Sequence, residues 1–154
     1  MKKLFVLLVS VMTATAANAQ KIATENVPTP VTTAFKAKFS IAEKTAWEMD
    51  YDNYVADFSV GKTNFSAKFD KEGKWIETVT YVKSSELPKA IKESLSKKYG
   101  ELSAYKIEDA RKIEKEKETI YEMEIIKGEN TFDVEFDNEG EMVKEEKKTE
   151  GKKD

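Results

Sequence analysis

Asn64-Phe65-Ser66-Ala67-Lys68-Phe69-Asp70-Lys71-Glu72-Gly73 and Thr131-Phe132-Asp133-Val134-Glu135-Phe136-Asp137-Asn138-Glu139-Gly140 share one pattern. In the first, Phe65, Ala67 and Phe69 alternate with Asn64, Ser66 and Lys68; in the second, Phe132, Val134 and Phe136 alternate with Thr131, Asp133 and Glu135. A period of two is that of a strand with one dry and one wet face. The Asp-x-Glu-Gly that closes each stretch suits a tight hairpin turn, in which glycine supplies the positive φ.

The match extends in both directions. Tyr54 to Val60 followed by Gly61 corresponds to Tyr121 to Lys127 followed by Gly128, and Trp75 to Val82 reads as a further strand with Glu141 to Glu145 as its shorter counterpart. Upstream, Val27-Pro28 with Val31, Phe35 and Phe39 has the spacing of Leu87-Pro88 with Ile91, Leu95 and Tyr99. Apolar residues at i, i+4 and i+8 form a stripe on one side of a helix, and proline is tolerated in a first turn, where the N–H it lacks has no partner anyway. Ser84 or Ser85 can cap the second helix and Gly100 can close it.

Between Tyr105 and Thr119 propensity and pattern conflict. The run from Ile107 to Lys117 is rich in helix formers, yet Tyr105, Ile107 and Ile113 fall on one alternating face. The repeat predicts a strand, with the difference in spacing between the helix match and the strand match taken up here as a longer hairpin or a bulge.

The pattern predicts an α+β chain of two tandem units, residues 20–83 and 84–146, each a helix packed on a small antiparallel sheet of about four strands. Residues 147–154 carry no large apolar side chain, are mostly charged, and are expected to be a disordered tail.

The first residues read as an export signal. Lys2 and Lys3 precede an apolar run from Leu4 to Met12, and Ala17-Asn18-Ala19 is a small-x-small cleavage site, placing Gln20 first in the mature chain. The run is about half the roughly 20 residues that a membrane-spanning helix needs, and no cysteine follows it to carry a lipid, so no stable membrane anchor is expected after cleavage. The expected location is the periplasm.

The chain contains no Cys and no His. Disulfides and thiolate metal sites are therefore excluded, as are histidine-based triads and most zinc chemistry. Without Lys2 and Lys3, 24 basic residues face 29 acidic ones, interleaved along the chain, so a phosphate backbone finds no basic face and nucleic-acid binding is not expected.

A signal segment followed twice by a Val/Leu-Pro helix, an aromatic strand, a Tyr-initiated strand and a Phe-x-x-x-Phe-Asp-x-x-Gly hairpin resembles the exported PepSY-like proteins, also described as β-lactamase-inhibitor-like. The resemblance covers about residues 27 to 146. It implies a helix on a small antiparallel sheet of about four strands in each unit and a periplasmic protein. The absence of Cys departs from the disulfide-bonded inhibitors.

Asp50, Asp52, Asn53 and Asp57, the pair Asp70 and Glu72, and the pair Asp137 and Glu139 suggest oxygen ligands, but none follows the order of a calcium loop. The Asp-x-Glu-Gly runs are turns, and no metal or cofactor is expected. No pair of carboxylates stands out, and there is neither a glycine-rich phosphate loop nor a nucleophile elbow, so no enzyme is expected. The candidate partner-binding residues are the aromatics Trp47, Tyr51, Tyr54 and Trp75, of the kind that anchor interfaces. The sequence supports an exported binding protein that holds a protein or peptide in the periplasm; the alternative is a small-ligand or envelope-stress carrier with an apolar pocket between the units.

Overall fold

The computed structural model describes residues 20–148. The expected export segment, residues 1–19, and residues 149–154 of the expected tail lie outside the described residues.

In chain order the elements are β1 (Gln20–Ile22), α1 (Thr29–Lys38), β2 (Glu43–Asp50), β3 (Asn53–Val60), β4 (Thr63–Phe69), β5 (Trp75–Tyr81), α2 (Lys89–Tyr99), β6 (Lys106–Lys115), β7 (Thr119–Lys127), β8 (Asn130–Asp137) and β9 (Met142–Lys148). All nine strands form one antiparallel sheet whose spatial order is the chain order.

This overturns the expectation of two units, each a helix on its own sheet of about four strands. β5 and β6 pair directly, from Glu77 opposite Lys115 to Tyr81 opposite Arg111, so the sheet continues through the point where two sheets were expected to part. The physical reason is the cost of an edge: a free strand leaves a row of backbone N–H and C=O groups unpaired, and joining two such edges satisfies both. The molecule is mostly sheet, with helices of only 10 and 11 residues.

Both helices lie on the same side. The cross-strand row Phe58, Phe65, Thr80, Lys112, Tyr121, Phe136 points to one face. Its two ends belong to two separate apolar clusters, one around Val31 and Phe35 of α1 and the other around Ile91, Leu95 and Tyr99 of α2. Phe35 sits edge-on to Trp47 and Phe58 with centroids 5.3 and 5.1 Å apart. Between the clusters the helix-side residues are Thr78, Thr80, Lys112 and Glu114, the last two joined at 2.8 Å. The two clusters therefore share a backbone ladder and not a core.

The helices begin directly after Pro28 and Pro88. Ser84 and Ser85 do not cap α2; they form a 3-10 turn in which the Glu86 carboxylate accepts the Lys83 N–H at 3.0 Å. Gly100 closes α2 with φ +96, and Lys127 Nζ donates to the Tyr99 carbonyl there at 2.8 Å.

The segment from Lys106 to Lys115 is a strand despite its helix-forming composition, because β5 and β7 flank it on both sides. A bulge between Glu108 and Arg111, with Asp109 at φ +47, interrupts its register. Lys147 and Lys148, placed in the tail by composition, belong to β9 and pair with Phe132 and Thr131. A mixed-charge segment serves as an edge strand because its backbone bonds on one side only and its side chains stay in water.

Candidate interaction surface

Helices cover one face of the sheet. Its other face is open among the described residues, and alternation decides what each strand shows there. Ala46, Asp57, Ser66, Val79, Ile113 and Ile120 form one such row across β2 to β7. Next to it runs Tyr81, Arg111, Glu122, Glu135 and Lys144.

Charges on this face are laced in pairs. Lys68 reaches Asp50 at 2.8 Å and Glu77 at 3.5 Å; burial alone would lower its pKa, but these two carboxylates outweigh it and hold the ammonium above its ordinary value. Arg111 meets Glu122 at 3.1 Å, Lys144 meets Glu135 at 3.2 Å, and Lys148 meets Glu124 and Asp133. Burial holds the Glu122 carboxyl above the usual range; Arg111 opposes this and Glu135 reinforces it. Arg111 Nε is buried without an acceptor.

Two shallow troughs cross the face at the end where β3 and β5 finish. One, of about 430 Å³, is lined by small side chains including Ala46, Ser59, Asn64 and Ser66, with Tyr81 on its border. The other, of about 260 Å³, runs from Arg111 across β7 and β8 to Lys148, with six carboxylates against three cations.

The four aromatics read from the sequence are not brought together here. Trp47 is a core residue, 4% exposed. Tyr54 and Trp75 are half-buried and pack on the α1 cluster. Trp75 turns to the helix side because Ile76 is bulged out of register, so that Phe69 faces Trp75 while Lys68 faces Glu77; its Nε1 donates to Thr78 Oγ1 at 2.9 Å, and Lys38 Nζ stands 3.8 Å over the ring. Only Tyr51 is free, 77% exposed at the β2–β3 turn in the left-handed region. The aromatic that does stand on the open face is Tyr81, 59% exposed. Its signal was the alternation Thr78, Val79, Thr80, Tyr81, but alternation alone does not say which of two faces the helices cover.

The acidic runs resolve as turns. Asp70 Oδ1 accepts the Glu72 and Lys74 N–H groups at 3.0 and 2.8 Å, and Asp137 Oδ1 accepts those of Glu139 and Glu141 at the same distances. Among the described residues no group of three or more carboxylates is arranged to hold a metal ion, and no helix is long and apolar enough to cross a membrane.

Residues 52–144, more than half of the chain, match the family model described as "Putative beta-lactamase-inhibitor-like, PepSY-like". The chain belongs to this PepSY-like family. The match runs from the β2–β3 turn into β9 and so includes the β5–β6 junction. Among solved structures, a protein of Bacteroides fragilis described as BLIP-like superposes with a TM-score of 0.70 at 23% identity, over 82% of this chain and 91% of that one. A protein of Bacteroides eggerthii described as a putative periplasmic protein gives 0.70 at 21% identity, over 82% and 93%. One of Bacteroides uniformis gives 0.70 at 22%, over 78% and 88%. At these identities the likeness concerns the PepSY-like fold. Among curated proteins no relative matches the sequence significantly.

Proposed function

We propose that this PepSY-like chain is an exported, non-catalytic, inhibitor-like binding protein that engages another protein through the open face of its sheet. The observation that carries the reading is the one-sidedness of the sheet: two helices cover one face, and the other presents shallow troughs lined by charged and small polar side chains. A broad, shallow face suits a protein surface, whereas a small apolar ligand needs an enclosed apolar cavity. The carrier reading required an apolar pocket between two units, and the helix-side seam there is lined by Thr78, Thr80, Lys112 and Glu114. Location in the periplasm rests on the signal-like first residues and on the description of the Bacteroides eggerthii relative.

A photo-crosslinking residue at Val79 on the open face, and another at Glu93 on α2, test this in periplasmic extract. A discrete crosslinked protein from position 79 and none from position 93 is expected. Crosslinking from position 93 alone, or turnover of a substrate by the mature chain, overturns the reading.

A further inference from the structure

We propose that the open face holds an extended protein segment laid across the strands, with small neutral residues over β2–β4, a contact on Tyr81, and a lysine or arginine side chain in the acidic trough of β6–β9. This rests on the open face being the binding surface and names what it binds.

The two troughs lie on the same face and at the same end of the sheet. They meet at the β5–β6 junction, where Tyr81 of one borders Arg111 of the other in register. Strands are about 4.8 Å apart, so a path from β2 to β9 is roughly 34 Å long and is spanned by about 10 extended residues. The chemistry changes along that path. Over β2–β4 the open-face side chains are Ala46, Ser59, Asn64 and Ser66 with one cation, Lys44, and one carboxylate, Asp57, while Phe58 and Phe65 of the same trough belong to the helix-side row, so an extended segment of small residues can approach the sheet closely. At the centre Tyr81 offers a large amphipathic ring, a residue type enriched among energetic anchors of interfaces. Beyond it the lining carries twice as many carboxylates as cations, six to three. The three cations are already engaged by Glu122, Glu135, and the pair Glu124 and Asp133, so the trough has negative charge to spare. Glu122 and Glu135 stand opposite each other in register within it, so an incoming cation meets two neighbouring carboxylates. An acidic partner or a second acidic copy of this chain meets repulsion here.

The probe is a display library of random peptides about 12 residues long, selected on the mature chain, with enriched peptides synthesised and titrated. They are expected to carry Lys or Arg and to bind more weakly as salt rises. Affinity is expected to fall roughly tenfold or more for Tyr81→Ala and for the isosteric double variant Glu124→Gln/Asp133→Asn. Circular dichroism of each variant confirms that the fold is retained. Peptides that lack basic residues, or that keep full affinity for both variants, overturn the proposal. If such peptides are lost on Val79→Arg, the open face still binds and only the track is wrong. If they also survive Val79→Arg, or if no peptide is enriched, this proposal fails, and a positive crosslink from position 79 then preserves the broader reading.

Discussion

At Gly73 and Gly140 the backbone does two things at once. Both have φ near +85, which suits the turn, and both press against the first turn of a helix. A Cβ on Gly73 would stand 2.5 Å from the Pro30 carbonyl oxygen, and one on Gly140 2.7 Å from the Ala90 carbonyl carbon. Gly61 has φ +60 with nothing within 4 Å. Gly61→Ala is therefore expected to cost about 1–2 kcal/mol, the left-handed penalty alone, while Gly73→Ala and Gly140→Ala should cost roughly 2–5 kcal/mol because overlap with helix backbone adds to it. Urea midpoints of the three variants check this, and equal losses would mean that the turns do not bear on the helices.

Glu145 makes a second residue-scale case. Burial alone would raise its pKa, but donors from Lys98 and Tyr99 outweigh that and hold the carboxyl below its ordinary value. Because the folded pKa lies below the unfolded one, the stabilisation is present above the unfolded pKa, about 4.3, and is lost as pH falls through the folded value. Glu145→Gln should lower stability at neutral pH and flatten its decline in acid, which denaturation between neutral and acidic pH measures. Parallel profiles would show that the contact contributes nothing. Tyr99 shifts the other way, its phenol pushed above the usual range by burial and by its bond to Glu145.

Among the elements, β9 shows how a segment that looks unfoldable by composition becomes a strand. From Lys144 to Lys148 it has no apolar residue, yet it pairs with β8 along its length and is tied to α2 through Glu145. Truncation after Val143 should therefore lower the melting temperature by several degrees, since losses on the order of 1–2 kcal/mol shift a domain of this size by roughly 2–8 °C. An unchanged melting temperature would mean that β9 is ornamental. The alternation in β3–β4 and β7–β8 was legible because it is a property of adjacent residues. The side on which Trp75 falls was not, because one bulged residue, Ile76, inverts the alternation and bulges carry no marker in composition.

For the molecule as a whole, the nine-stranded sheet couples two apolar clusters that do not touch across the polar seam. Cutting the chain at Ser84 exposes the edges of β5 and β6 and leaves two pieces of about 65–70 residues, a size at which a core without disulfides or metal is marginal. Both halves, expressed separately, should lack a cooperative thermal transition by circular dichroism. Two independently stable halves would show that each cluster suffices and that the β5–β6 ladder is dispensable.

Local chemistry alone determined β3–β5, β7 and β8, their hairpin turns and the helix stripes, because period and turn residues depend on neighbours a few positions apart. The family was legible in the same features. Only the tertiary structure decided that the sheet does not stop between β5 and β6, since an edge-to-edge pairing is made by backbone groups that every residue possesses. It also decided which face the helices cover, and with it the surface residues: Trp47 went to the core, Tyr54 and Trp75 to the flank of the α1 cluster, and Tyr81 to the open face. A strand's alternation defines two faces but not their fates; packing the helices against one of them makes that choice.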